Sequence, residues 1–157
     1  MNPNGTLRNA QLSCTVRPPV ANDYDRIAVL AKQLGYECTG EEIRGRLSEM
    51  QDMNQYAVYV AQAPGGQIAG WVGACLFRSV EIGSVAALTG LVVDQQVRDR
   101  EIGKALIDAA EAWARSVGCT VISINLGIMR PRARRFFIKN GYEHIKTHME
   151  FRKLLTS

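Results

Sequence analysis

A short polar segment between an apolar strand and an amphipathic helix carries residue types that can bind an anionic ligand. The strand ends at residue 93, and the helix is predicted to begin near Ile102. The first backbone N–H groups of a helix have no partner inside it, and the helix dipole adds positive potential beside them. Gly103, at the start of the helix, lets a bulky ligand approach the backbone closely. The pattern therefore predicts a site for phosphate-like groups.

The charged side chains of residues 94–104 cancel one another, so the backbone donors must do most of the binding. The basic residues of this segment are Arg98, Arg100 and Lys104, and the acidic ones are Asp94, Asp99 and Glu101. The whole chain carries a net charge of +4, from 19 basic and 15 acidic residues. Such a mild excess suits an anionic ligand and falls short of the strongly basic surface of a nucleic-acid-binding domain.

A base for proton transfer is harder to find. A side chain that removes a proton from a substrate is usually a carboxylate or a histidine, which acts directly or through an ordered water molecule. Glu81, just before the apolar strand, is the candidate catalytic base. His144 and His148 lie on predicted closing strands, where structural or exposed side chains are expected. The alternative is a water molecule positioned by Thr89 and backbone carbonyl groups.

Hydrophobic periodicity and turn residues predict the elements that position these groups. Thr39 and Glu42 form a capping box at the start of a helix that reaches residue 50. Glycines at 35, 118 and 141 end three other helices, which begin after Asn22, near residue 102 and at Pro131. The predicted strands are 11–17, 56–63, 67–78, 85–93, 121–126, 142–144 and 147–152. The order βααβββαβαββ predicts an α+β (α/β layered) fold, with helices on the faces of a mixed sheet.

Length and composition favour one globular domain. The chain has 157 residues, of which 46% are hydrophobic and 22% charged, and both values are ordinary for such a domain. We expect a flexible tail at residues 1–10 and a single domain at 11–157. No secretory signal or membrane span is predicted. The scattered cysteines, Cys14, Cys38, Cys75 and Cys119, predict reduced thiols, a cytoplasmic location and no metal site.

Two motifs in the sequence resemble one family. Residues 91–106, Leu-Val-Val-Asp-Gln-Gln-Val-Arg-Asp-Arg-Glu-Ile-Gly-Lys-Ala-Leu, resemble the acetyl-CoA-binding motif of the GNAT family of N-acetyltransferases, with Arg98 and Gly103 at its ends. Residues 130–142, Arg-Pro-Arg-Ala-Arg-Arg-Phe-Phe-Ile-Lys-Asn-Gly-Tyr, are similar to the family's Asn-x-x-Ala-x-x-Phe-Tyr-x-x-x-Gly-Phe/Tyr. The separation of the motifs and the order of the elements also match, so the resemblance covers nearly the whole chain.

The resemblance implies an enzyme that moves an acetyl group from acetyl-CoA directly to a primary amine of an unidentified acceptor. It implies a strongly twisted sheet whose fourth and fifth strands splay apart. The pantetheine arm would pair with the backbone of Leu91 and Val93 like an added strand, and the pyrophosphate would lie on the amides of residues 98–104. The acceptor pocket would lie between the first two helices and the loop joining strands three and four. The implied acetyl-CoA-binding residues are Leu91, Val92, Val93, Arg98, Asp99, Arg100, Glu101, Ile102, Gly103, Lys104, Asn125, Ala133, Phe136 and Phe137.

The sequence departs from the family pattern at several positions. Glu101 stands where the family usually has its first glycine, and its carboxylate would repel a pyrophosphate unless the side chain turns outward. Arg130 replaces the usual Asn, and Phe137 replaces a Tyr whose hydroxyl, in many members, can protonate the departing thiolate. Many members also carry an acid on the fourth strand, whereas residues 87–90 hold none.

These departures leave other functions open. One alternative is a catalytically weak acyl-CoA-binding regulatory domain. Another is a nucleic-acid-binding module that uses the basic run from Arg130 to Lys139. An array of helical arginines is usually a solvated face, however, and one or two of them could hold the 3′-phosphate of CoA. A homodimer is compatible with the sequence.

Overall fold

The computed structural model describes residues 14–97 and 100–156, which form two compact units. The first unit ends at Asn125 and the second begins at Leu126. All the described strands belong to the first unit.

The first unit contains a five-stranded sheet in the order β1-β2-β3-β4-β5. Neighbouring strands are antiparallel except β4 and β5, which are parallel, so the prediction of a mixed sheet is confirmed. Part of the predicted first strand, residues 11–13, lies outside the described residues. The strands are β1 (Thr15–Arg17), β2 (Tyr56–Gln62), β3 (Ile68–Ser79), β4 (Gly83–Val93) and β5 (Ile122–Ile124).

Local sequence signals account for the helices of this unit. They are α1 (Tyr24–Gln33), preceded by a 3₁₀ turn, α2 (Gly40–Glu49) and α3 (Arg100–Ser116). The capping box forms as predicted: the Glu42 backbone N–H donates to Thr39 Oγ1 over 3.2 Å, and the Thr39 N–H donates to Glu42 Oε2 over 2.8 Å. Gly35 and Gly118 follow α1 and α3 with φ values of +92° and +84°, a backbone region that favours glycine.

Helices cover both faces of the sheet, as predicted. A Cβ atom at Gly70 of β3 would lie 3.1 Å from Leu106 of α3. A Cβ atom at Gly90 of β4 would lie 3.6 Å from Leu34, at the end of α1. Each face therefore packs closely against one helix. The core cluster on the α1 face consists of Ile27, Leu30, Val60, Ile68 and Val92.

The second unit contains one described helix, α4 (Pro131–Lys139), with Pro131 in its first turn as predicted. No strand occurs among residues 126–156, so the predicted closing strands at 142–144 and 147–152 are wrong. Alternating polar and apolar residues satisfy a strand pattern, but a strand also needs a hydrogen-bonded neighbour, which alternation does not specify.

Candidate active site

The C-terminal end of β4 presents an open edge. β5 pairs with β4 only at Ala86, Ala87 and Leu88, so β4 continues for five further residues beyond this pairing. The prediction that the fourth and fifth strands splay apart is therefore confirmed.

The hydrogen-bond alternation of the β3–β4 ladder shows which backbone groups face this edge. The Asp94 N–H donates to the Ala69 carbonyl over 2.7 Å, so this pair points inward between the strands. Alternate residues of an antiparallel strand point to opposite sides. The N–H and C=O groups of Leu91 and Val93 therefore face the open edge. Those of Val92 face β3, and its side chain lies in the core cluster.

A β-bulge at Thr89 sets this alternation. Gly73 pairs with Gly90 and Ala74 with Leu88, which leaves Thr89 as the extra residue. On the β5 side, the Ala86 N–H donates to the Val121 carbonyl over 3.0 Å. In a strand without a bulge, every second residue after Ala86 would face the same side as Ala86. The backbone groups of residues 90 and 92 would then face the open edge. The bulge shifts the exposed set by one residue.

Two glycines make room for the side chains around the bulge. A Cβ atom at Gly90 would lie 2.9 Å from the Trp71 ring, and one at Gly73 would lie 2.5 Å from Thr89 Oγ1. The Trp71 ring therefore lies against Gly90, and the Thr89 hydroxyl lies over Gly73. The bulge therefore places the Thr89 hydroxyl beside the open edge of β4.

Asp94 anchors the loop that joins β4 to α3. Only 5% of the residue is exposed, and its carboxylate accepts hydrogen bonds from the Gln96 N–H over 3.1 Å, from Gln33 Nε2 over 3.3 Å and from Arg26 Nη2. Gln33 Oε1 in turn accepts from the Gln95 N–H over 3.0 Å. The Gln96 N–H, together with Gln33 and Arg26, holds the pKa of Asp94 below its ordinary value, against the opposite effect of burial.

The sequence predicted only a charge within the loop at Asp94 and not this anchoring role. A signal was available, because an Asp directly after a strand often accepts from the backbone N–H two residues on. Its partners on α1 could not be found in this way, since Gln33 and Arg26 lie 61 and 68 residues away in the chain.

The first turns of α3 contain five of the predicted acetyl-CoA-binding residues, Arg100, Glu101, Ile102, Gly103 and Lys104. Ile102 and Gly103 are buried, whereas Glu101 and Lys104 are exposed. Lys104 Nζ lies 2.7 Å from Asp108 Oδ2, and this hydrogen bond raises the pKa of Lys104. Because Asp108 already holds the lysine, the backbone donors at the start of α3 are the better candidates for phosphate binding. Arg98 and Asp99 lie outside the described residues, and only the backbone of Arg100 is described.

The remaining predicted cofactor residues lie directly after β5 and on α4. Asn125 is exposed directly after β5. In the second unit, Ala133 and Phe136 are partly buried and Phe137 is buried. The Phe137 ring packs edge-to-face against Phe136 and Tyr142, with ring centroids 5.3 and 5.1 Å apart.

Glu81 lies in the turn between β3 and β4, at the opposite end of β4 from the open edge. The turn's own backbone and the Ser79 side chain lower the pKa of this exposed carboxylate. The six residue steps from Gly83 to Thr89 correspond to about 20 Å of extended strand. The structure therefore does not bring Glu81 close to the bulge.

We expect Glu81→Gln to change kcat/KM for any accepted amine by less than about threefold, because the carboxylate is too distant to reach the reacting amine. Loss of a general base typically costs about 10²–10⁴-fold. The check is the pH profile of kcat/KM for both proteins. A loss of that size, together with the disappearance of an acidic limb from the profile, would establish Glu81 as the base.

A groove of about 400 Å³ lies on the α1 face of the sheet. The first two helices contribute to its wall, whereas the β3–β4 turn, which the sequence analysis expects beside the acceptor pocket, does not. The other walls are the segment that follows β1, the start of β2 and the segment between α2 and β2. Its lining residues are Pro18, Pro19, Tyr24, Arg44, Leu47, Ser48, Met50, Gln51, Met53, Tyr56 and Val58.

The described residues contain neither a cluster of metal ligands nor a helix with the character of a membrane span. Within residues 14–97 and 100–156, no three or more His, Cys, Asp or Glu side chains are grouped so that they could hold a metal ion. In the same part of the chain, no helix is long and apolar enough to cross a membrane.

Comparison with known proteins identifies a class of enzyme that fits this geometry. The chain is 31% identical over 102 residues to aminoglycoside N(6′)-acetyltransferase type 1 of Klebsiella aerogenes, covering 63% of this chain and 67% of that protein. It is 26% identical over 145 residues to aminoalkylphosphonate N-acetyltransferase of Salmonella typhimurium strain LT2, covering 90% and 92%. Glucosamine-6-phosphate N-acetyltransferase from Arabidopsis thaliana shares the fold, with a TM-score of 0.75, 19% identity and coverage of 88% and 97%.

These similarities define an acetyl-CoA-dependent N-acyltransferase. The sequence profile of the acetyltransferase (GNAT) family matches residues 27–142, about three-quarters of the chain. The protein therefore belongs to the acetyltransferase (GNAT) family.

Proposed function

We propose that this protein transfers the acetyl group of acetyl-CoA directly to a primary amine that approaches the bulge at Thr89 from the groove. The observation that carries the proposal is the open edge of β4, where no strand of residues 14–97 and 100–156 pairs with the outward-facing backbone groups of Leu91 and Val93. An extended pantetheine arm bears amide groups that can pair with such an edge. The start of α3 lies beyond the same end of β4 and supplies donors for the pyrophosphate.

The groups around the bulge suit acyl transfer. The neutral amine attacks the thioester carbonyl, the N–C bond forms and the C–S bond breaks, and the amine proton passes to solvent. Backbone N–H groups beside the bulge would stabilise the negative charge on the carbonyl oxygen. The Thr89 hydroxyl is the side-chain group best placed to orient a water molecule that accepts the amine proton. The leaving thiolate is a moderate base, since thiols have pKa values of about 8.5, and it can take a proton from water.

We further propose that residues 11–157 act as one domain in the cytoplasm, with residues 1–10 as a tail. The family match supports a single domain, because it runs across the boundary between the two compact units.

The test of the proposed reaction is a thiol-release assay with acetyl-CoA and a broad panel of amines, followed by mass spectrometry of the products. Stoichiometric release of CoA and an acetylated amine is the expected result. Binding of acetyl-CoA without turnover of any amine would favour the regulatory alternative, which the Phe137 substitution and the absence of an acid at residues 87–90 support.

We expect Glu101→Gln to tighten acetyl-CoA binding by about tenfold. At a separation of about 6 Å in water, two unit charges of like sign cost about 0.7 kcal/mol, and a pyrophosphate carries two negative charges. The two repulsions together cost about 1.4 kcal/mol, which corresponds to about tenfold in affinity. The measurement is isothermal titration calorimetry at low and high salt, where screening should shrink the gain.

The matched control for this variant is Glu111→Gln. Glu111 lies ten residues further along α3, or about 15 Å, beyond the Debye length of about 8 Å in physiological salt. Its removal should change the affinity by less than about twofold. An unchanged affinity in Glu101→Gln would show that the pyrophosphate does not lie at the start of α3.

A further inference from the structure

We propose that the acceptor is a small primary amine that also carries an anionic group, namely a carboxylate, phosphate or phosphonate, and that Arg44 in the groove binds this group. The inference rests on the proposed function, because it assigns the acceptor of the same reaction.

The groove is positioned to deliver an amine to the bulge. Val58, on the groove floor, pairs with Gly73, and Gly73 pairs with Gly90 beside Thr89. Neighbouring strands are about 4.8 Å apart, so two strand spacings place the floor about 10 Å from the bulge. A small molecule held in the groove can therefore extend its amine to the reaction site, and 400 Å³ suits a small acceptor rather than a folded protein.

The charge of the groove selects among small amines. Arg44 is the only charged side chain among the described residues that line it. Arg44 forms an ion pair with Glu41, whose Oε2 atom is 4.0 Å from Arg44 Nε and whose side chain is 86% exposed. At this distance and with both side chains exposed, 63% for Arg44, the ion pair is weak, so Arg44 stays available to bind another anion.

Two other features could favour a cationic ligand, and both are weaker than Arg44. Asp52 is close to the groove in sequence, but its carboxylate does not line it and accepts a 2.9 Å hydrogen bond from the Asn54 N–H. The C-terminal end of α2 carries about half an elementary negative charge, against the whole positive charge of Arg44. The positive charge of Arg44 therefore exceeds the negative charge near the groove, which favours an anionic group on the acceptor.

The uncharged lining completes a site for a small polar molecule. Tyr24 and Tyr56 provide aromatic walls, and Ser48 and Gln51 provide neutral hydrogen-bonding groups. An acceptor with several ammonium groups would meet no carboxylate among these lining residues. It would have to give up hydration of its charges without an ionic partner.

The experiment compares acceptors matched in size by thiol release at saturating acetyl-CoA. One arm contains ω-amino acids, aminoalkylphosphonates and amino-sugar phosphates, and the other contains alkylamines, polyamines and aminoglycosides. We expect the anionic arm to contain the substrates with the highest kcat/KM. Comparing the three kinds of anionic group then identifies which one the groove binds.

Arg44→Gln is the variant that tests the assigned contact. We expect it to raise KM for anionic amines by about 10- to 100-fold, the effect of losing one charged hydrogen bond. The KM for acetyl-CoA and the kcat should stay within about twofold, and Arg44→Lys should recover part of the loss. The matched control is Arg46→Gln on the same helix. Arg46 has a side chain of similar exposure, 54% against 63%, does not line the groove, and should leave all constants unchanged.

The possible failures can be told apart. Faster turnover of polyamines or aminoglycosides than of anionic amines, or an unchanged KM for anionic amines in Arg44→Gln, would overturn the inference and leave the proposed function standing. Absence of thiol release with every amine, despite binding of acetyl-CoA, would overturn both.

Discussion

Replacing Asp94 with alanine is expected to lower the free energy of unfolding by about 3 kcal/mol and to weaken acetyl-CoA binding in the protein that remains folded. Breaking a buried ion pair by removing one partner costs about 3–5 kcal/mol. The lower value applies here because the Arg26 side chain is 25% exposed and keeps a second hydrogen bond, to the Ile68 carbonyl. For a chain of this length the loss corresponds to a melting temperature lower by roughly 6–12 °C.

The same contacts predict how stability depends on pH. The folded state lowers the pKa of Asp94, so its contribution is fully present above the unfolded value of about 3.9 and is lost as the pH falls through the lower folded value. Arg17 lowers the pKa of the buried Asp23 in the same way, through hydrogen bonds of 2.7 and 3.1 Å. Between pH 6 and pH 3, the unfolding free energy of Asp94→Ala should therefore fall less steeply than that of the parent.

Urea denaturation at several pH values measures both effects. Asp108→Ala is the control, because it removes a carboxylate from an exposed ion pair with Lys104, and such pairs contribute about 0.5 kcal/mol or less. A loss below 1 kcal/mol in Asp94→Ala would show that the contacts from α1 do not hold the loop. Loss of stability with unchanged acetyl-CoA affinity would show that the contacts of Asp94 stabilise the fold but do not affect acetyl-CoA binding.

The parts of the fold that the sequence predicted are those fixed by neighbouring residues. The capping box at Thr39 and the helix stops at Gly35 and Gly118 each depend on a few consecutive residues, and all three form as expected. The strand, loop and helix around residue 94 were predicted for the same reason. The splay between β4 and β5 was predicted from the family resemblance, because local patterning alone does not specify it.

The features that escaped prediction depend on residues far apart in the chain. The bulge at Thr89 exists only as a mismatch between β3 and β4, and it decides which backbone groups face the open edge. The anchor at Asp94 needs side chains from α1. The groove combines residues from four separate segments between Pro18 and Val58. Glu81 is a different case: it is close to β4 in sequence, but about 20 Å of extended strand separates it from the bulge at Thr89.

Acetyl-CoA is expected to raise the melting temperature of the protein by roughly 5–10 °C at about a hundred times its dissociation constant. Binding to the folded state alone at this concentration adds about 2.7 kcal/mol, and each kcal/mol corresponds to roughly 2–4 °C for a chain of this length. The open edge at Leu91 and Val93 and the donors at the start of α3 bind different parts of the ligand. The edge of β4 and the start of α3 should therefore each contribute part of the rise in melting temperature.

Fragments of the ligand test that division by thermal shift. Acetylpantetheine, which lacks phosphates, should stabilise the protein less than acetyl-CoA and equally in the parent and in Glu101→Gln. Acetyl-CoA at a fixed, subsaturating concentration should stabilise Glu101→Gln more than the parent, because only the complete ligand places a pyrophosphate beside residue 101. No shift with millimolar acetyl-CoA would contradict binding at this site. A gain for acetylpantetheine equal to that for acetyl-CoA would mean that the edge of β4 supplies the affinity and the start of α3 contributes none.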